Sequence, residues 1–429
     1  VTLWMDETYA LFQNSRRQSA GELLGRGASA QGSPAPLVYL LEKAVDRLRV
    51  PLGYLGMSYA GYYRLGSAAA TGLLGLAAVL LVARRLLRDP AALPATQLFV
   101  CACALAAFYF SLPVYEYATE TRPYSYWNAL WFMALACTLQ RPVRPWLIAG
   151  LMTLLALTAT ASCFQILAMG VALGLAARVE GKSWKETIRE VAMILALPSA
   201  VAVYYSLHAG VHGWTGDEYG TWPRFFKFWL RTQRVTWLLT LAAVVTVWVR
   251  PSLRKFSVPL TAMLVLLLLG PLIFGLTRAR GFFYHSRQYI YYSLTAPVAL
   301  LAVAATLPVW IGERGRGLKT ALLVVASLLA VGVGVERGGR LAEPPKGTFA
   351  LDFLEGMAKE RPPALCYEPS LPAELRENVA LLAEWMDVRW AARPRGTREV
   401  WIREAGGKLV AESGDAPLPA RLVRVPLAP

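Results

Sequence analysis

The chain has 429 residues, of which 56% are hydrophobic and only 17% charged. Soluble domains carry about 25% charged residues, so composition excludes an ordinary soluble enzyme, and the apolar content excludes a disordered chain. The net charge of +16 does not mark a nucleic-acid binder: the last stretch, from Glu336 on, holds as many acidic as basic residues, so the surplus lies in the apolar part.

The chain opens at Val1-Thr-Leu-Trp4, which reads as the exit of a helix whose body lies upstream; a further first span ahead of Val1 is expected. Residues 1–63 form a long first outer loop with amphipathic stretches at Glu7 to Arg17 and Leu37 to Arg49. In the second stretch Leu40, Leu41, Ala44, Val45 and Leu48 form one stripe beside Glu42, Lys43, Asp46, Arg47 and Arg49. That pattern suits a helix lying in the membrane interface.

Residues 64–335 read as a transmembrane bundle. Apolar stretches begin near Gly66, Leu98, Tyr124, Trp146, Cys163, Val191, Val235, Val258, Tyr289 and Thr320, each bounded by charge, Pro or Gly. A spanning helix needs roughly 20 residues. The stretch from Trp146 to Ala177 is split at Thr158-Ala-Thr-Ala-Ser162, where small polar residues permit a hinge. With the first loop outside, the cytoplasmic loops become Arg84 to Arg88, Arg141 to Arg144, Arg178 to Arg189, Arg250 to Lys255 and Arg314 to Lys319. All are short and basic, as the positive-inside rule requires. The expected fold is an all-α polytopic membrane protein of about ten spans with both ends outside. Residues 336–429 are expected to form a small soluble α+β domain on the outer side. Its elements are a helix at Leu371 to Met386 and a hairpin at Glu399 to Glu412 turning through Gly406-Gly407.

Three outward-facing features carry chemistry. Asp6-Glu7 lies where the first helix emerges; acids beside a membrane core bind something or face water, and they also suit a plain helix start. Glu116 and Glu120, spaced i,i+4, share one helix face and repel unless Arg122, a cation or a substrate compensates. An outside loop capped by an aromatic belt of Tyr124, Tyr126 and Trp127 is the alternative. Arg278, Arg280, His285 and Arg287 lie on the side that positive charge normally avoids. A phosphate there would explain them, since the guanidinium fork matches phosphate oxygens, and so would attraction to lipid head groups. The five cysteines show no pairing framework or metal spacing. His208, His212 and His285 do not form a zinc-protease frame, and no phosphate-binding glycine loop is present.

Trp4-Met-Asp6-Glu7 with Tyr9, then Glu120-Thr-Arg122-Pro123-Tyr124, then Arg287-Gln-Tyr289 followed by Pro297 resemble the membrane glycosyltransferases of the GT-C class. The branch most similar is the bacterial set related to protein O-mannosyltransferases and the aminoarabinose transferases of lipid A. The resemblance covers roughly Val1 to Val335 and departs at the absent first helix, at Gln288 and in the tail. It implies an inverting transfer of a sugar from a polyprenyl-phosphate donor to a lipid, glycan or protein acceptor. The site would face the periplasm or outside of the bacterial inner membrane. In that reading Asp6 is the base, Glu7 supports the site, and Glu120 positions the acceptor or a cation. Glu116, Arg122 and Tyr124 would line the substrate site, while Arg278, Arg280, His285, Arg287 and Tyr289 hold the lipid phosphate. Some members hold a divalent metal near such acids. A transporter or flippase of lipid-linked sugars and a non-catalytic membrane scaffold are the competing classes; the first would place polar groups near mid-membrane and repeat its halves.

Overall fold

A computed structural model describes Glu7 and residues 10–28, 35–57, 59–78, 80–81, 123–139, 144–208, 221–232 and 234–279. In the tail it describes the strand residues 364–367, 389–391, 400–405, 408–413, 416–417 and 425–426. The chain divides into two compact units. One comprises Val1–Gly32, Tyr39–Gly66 and Leu341–Pro429, the other Ser33–Val38 and Ser67–Arg340.

In the first unit a π-helical turn, Leu11–Arg16, precedes α1 (Ala20–Arg26), α2 (Leu37–Leu48) and α3 (Tyr59–Ala69). Helix α1 starts because Ser19 and Glu22 cap each other: the Ser19 hydroxyl accepts from the Glu22 amide and the Glu22 carboxylate from the Ser19 amide. A small apolar cluster of Ala10, Leu23, Ala28 and Tyr39 closes around it. The tail strands are β1 (Ala364–Tyr367), β2 (Arg389–Ala391), β3 (Val400–Ala405), β4 (Lys408–Ser413), β5 (Ala416–Pro417) and β6 (Val425–Pro426). They form one sheet in the order β2-β1-β3-β4-β5, with β6 also on β4. β1 runs parallel to β2 and β3, whereas β3 and β4 are antiparallel with Ala405 opposite Lys408, across Gly406-Gly407.

The second unit is a helical bundle of α4 (Pro123–Cys137), α5 (Pro145–Thr158), α6 (Ser162–Val179), α7 (Trp184–Leu207), α8 (Arg234–Val249), α9 (Ser257–Leu268) and α10 (Gly270–Ala279). Helices α4 and α5 begin on prolines, whose missing N–H costs nothing at a helix start. Every residue of α4 from Trp127 to Cys137 is buried, as a helix apolar on all sides must be. Helix α5 packs on α4 and α7, and α6 packs on α7 and α9. α5 ends at Thr158 and α6 starts at Ser162. The Ser162 hydroxyl donates to the Leu155 carbonyl at 2.8 Å and accepts the Trp127 indole N–H at 3.0 Å, satisfying backbone that the break exposes.

A second break is built the same way. Helices α9 and α10 meet at a bend of 47°. The Trp229 indole, in the π-helical stretch Lys227–Thr232, donates to the Leu267 carbonyl at 2.9 Å, and the Trp237 indole donates to the Trp229 carbonyl at 3.0 Å. Gly270 makes this possible, since a Cβ there would lie 2.6 Å from Trp229 Nε1. Nearby, Phe225 stacks on Phe274 with ring centroids 4.5 Å apart.

Among the described residues two helices, α6 and α7, are long and apolar enough to cross a membrane, and a third span results if the bent pair of α9 and α10 is counted as one. Leu167, Leu175, Met193 and Leu197 stand exposed on α6 and α7, the surface that lipid covers in a membrane-embedded bundle. These helices mark a membrane protein. The spans expected near Leu98, Tyr289 and Thr320 lie outside the described residues, as does the tail helix expected at Leu371 to Met386.

Candidate functional site

The first unit encloses a charged interior. Glu7 has a carboxylate with no exposure to solvent; Arg64 donates to it twice, from Nη2 to Oε2 at 2.6 Å and from Nε to Oε1 at 3.2 Å. Such a two-pronged contact fixes both side chains and satisfies charges that burial would otherwise penalise. The Tyr59 phenol lies within the field of this pair. Burial holds its pKa above the usual phenol range; Arg64 opposes that shift and Glu7 reinforces it.

Asp46 of α2 is the hub of a second network. Its Oδ1 accepts from Arg16 Nε and Nη2 at 3.1 and 2.9 Å and from the Tyr63 hydroxyl at 2.5 Å. Arg49 approaches Oδ2 at 3.3 Å and donates to the Asp46 carbonyl. Burial, and then the charge of Asp46, push the Tyr63 phenol above its ordinary pKa, so it stays a donor. One turn earlier on α2, Glu42 accepts from the buried Ser15 hydroxyl at 2.7 Å, and Lys43 donates to the Ser15 and Gln18 carbonyls. The π-helical turn is thus tied to α2 by Ser15–Glu42 and Arg16–Asp46, and Glu7 is tied to α3 by Arg64.

This arrangement suits holding a segment in place more than proton transfer. A carboxylate whose two oxygens both accept from one guanidinium has little left to offer a substrate hydroxyl. Glu7 is therefore held by its ion pair with Arg64. Asp6 itself lies outside the described residues, as do Glu116, Glu120, Arg122, Arg280, His285, Arg287 and Tyr289. Arg278 falls in α10, its side chain undescribed; Tyr124 is half-buried in the first turn of α4. What the structure adds are Arg64, Arg16, Asp46 and Tyr63. The amphipathic spacing of α2 singles out Asp46 as a polar-face residue, but the Glu7–Arg64 pairing joins positions 57 apart, and no local pattern signals it.

Among the described residues no three His, Cys, Asp or Glu side chains gather as a metal site requires; the acids at Glu116 and Glu120 lie outside that set. No family model matches this chain, and comparison with curated proteins finds no relative.

Proposed function

We propose that the chain is an inverting glycosyltransferase of the GT-C type. It takes a sugar from a polyprenyl-phosphate donor and passes it to a lipid, glycan or protein acceptor at the outer face of the bacterial inner membrane. The observation that carries this reading is the locking of Glu7 by Arg64, directly beside Asp6. A general base needs a fixed position, and a locked neighbour in the chain restricts the backbone from which Asp6 would act. The acceptor oxygen attacks the anomeric carbon as its proton passes to the Asp6 carboxylate. The bond to the phosphate oxygen breaks with its electron pair, leaving polyprenyl phosphate. Arg278, Arg280, His285 and Arg287 supply the cations such a leaving group requires.

One observation favours a second reading, a transporter of lipid-linked sugars. Transporter sites form at discontinuous helices with polar groups inside the bundle. Here α9 and α10 form a broken pair, and among the described residues the amides of Asn128 and Gln165 are buried without a hydrogen-bond partner.

The two separate in one assay on the purified chain with a polyprenyl-phosphate sugar. Under the transferase reading Asp6→Asn lowers turnover by about 10²- to 10⁴-fold with donor binding retained, whereas Glu7→Gln lowers it less and also destabilises the fold. Donor that crosses the bilayer of proteoliposomes without being consumed supports the transporter instead.

A further inference from the structure

The interior of the helical bundle holds polar groups that its fold does not use. Asn128 of α4 is 2% exposed and Gln165 of α6 is 0% exposed. Neither the oxygen nor the nitrogen of either amide has a hydrogen-bond partner among the described residues. Ser125, three residues before Asn128 and on the same face of α4, has a buried hydroxyl in the same condition. So has Thr71, in the π-helical turn Ala70–Leu74 that packs on α4. The hydrogen bond from Trp127 to Ser162 joins the starts of α4 and α6. Asn128 follows Trp127 directly and Gln165 lies one turn past Ser162, so both amides sit at one end of the bundle, close to the break between α5 and α6.

These groups weaken the bundle. An unpaired polar group in an apolar interior costs free energy that an apolar side chain of like shape would not, and native proteins retain few of them. Other polar groups nearby are satisfied: the Trp131 indole donates to Met263 Sδ at 3.2 Å, as the Trp127 indole does to Ser162. Both rings are fully buried and held in fixed orientation. The distribution of charge restricts what could complete the amides. Helices α4, α5 and α9 have no charged residue, and α6 has only Arg178, in its last turn. A phosphate or carboxylate would find no counter-ion among them. A primary amide is neutral and offers two N–H donors and a carbonyl acceptor, which matches groups that donate and accept at once. The hydroxyls of a sugar are such groups, and aromatic walls with few polar contacts are typical of small-molecule sites.

We propose that Asn128 and Gln165, with Ser125, bind the hydroxyl groups of the sugar carried by a lipid-linked donor. The inference rests on the reading that the chain handles lipid-linked sugars, which the transferase and the transporter share. It separates the residues that take the sugar from the cations that take the phosphate. The amides are enclosed, so binding requires the helix ends to part, and the extended backbone of Ala159 between α5 and α6 provides the joint.

The test uses the purified full chain in a detergent without a sugar head group. Affinities are measured for polyprenyl phosphate, polyprenyl-phosphate glucose and polyprenyl-phosphate mannose. The wild type is expected to bind at least one sugar-bearing lipid about tenfold more tightly than the bare lipid. Asn128→Leu and Gln165→Met keep the length of each side chain. Each is expected to remove most of that preference and leave affinity for the bare lipid unchanged. Without ligand, both variants should melt at or above the wild-type temperature, because they remove groups that have no partner to lose. A lower melting temperature for both Asn128→Leu and the smaller Asn128→Val means that the amide is bonded within the fold and overturns the inference. A sugar preference that survives in Asn128→Leu and Gln165→Met also overturns it, but spares the lipid-linked-sugar reading. A wild type with no sugar preference removes that reading and the inference with it.

Discussion

Arg64 illustrates how a buried ion pair fixes a segment distant in sequence. Removing one partner leaves the other charge buried and alone, so Arg64→Ala is expected to destabilise the fold by about 3–5 kcal/mol. Arg64→Lys keeps the charge but loses the fork and should cost less. Thermal unfolding in detergent measures both; equal stability of wild type and Arg64→Ala would show the Glu7 contact to be dispensable. Tyr63 gives a test in pH. Its folded-state pKa is raised above the usual value, so the folded protein keeps the phenolic proton after the unfolded chain would release it. That contribution is complete below about pH 10 and is lost as pH rises further. The wild type should therefore lose stability above that pH more steeply than Tyr63→Phe, with melting curves across the alkaline range as the measurement. Neither pair is visible in sequence. Arg16–Asp46 and Arg64–Glu7 join positions 30 and 57 apart, and side-chain periodicity reports only which face a residue lies on.

At the level of elements, local chemistry is more legible. Ser183 and Glu186 form a capping box at the start of α7, a three-residue spacing readable directly from the chain. The small-residue run Thr158 to Ser162 coincides with the break between α5 and α6, because Ser162 can replace the lost backbone partners with its hydroxyl. The stripe of α2 is likewise plain in the sequence, but which side faces inward is not. That depends on Arg16, Ser15 and Tyr63 reaching the acidic face from distant positions. The break between α9 and α10 has a different local cause. Leu268-Leu-Gly-Pro271 lies inside a long apolar run; its Gly-Pro pair disfavours a continuous helix, and the Trp229 indole supplies a donor to the Leu267 carbonyl at the break. Gly270→Ala places a methyl group within 2.6 Å of Trp229 Nε1 and is expected to destabilise by about 1–3 kcal/mol. Trp229→Phe should also destabilise, because the Leu267 carbonyl loses its donor. A Gly270→Ala protein that melts with the wild type would show that Trp229 moves aside freely.

The whole molecule combines an apolar bundle with membrane-length helices and a unit whose charged interior holds Glu7 in an ion pair with Arg64. Composition made the membrane class readable, since few charges interrupt the apolar runs. The grouping of the site depends instead on topology, which is a sum over every span and shifts with each one gained or lost. The transfer reading requires the acidic segment at Tyr115 to Pro123 and the basic loop at Ala279 to Ser286 to share one aqueous side with Asp6. Single cysteines at Ala118 and Ser286, in a chain whose five native cysteines are replaced, can be probed in sealed, right-side-out vesicles with a membrane-impermeant maleimide. The account expects both to react from the outside without permeabilising the membrane; reaction of one from outside and the other only after lysis would contradict it.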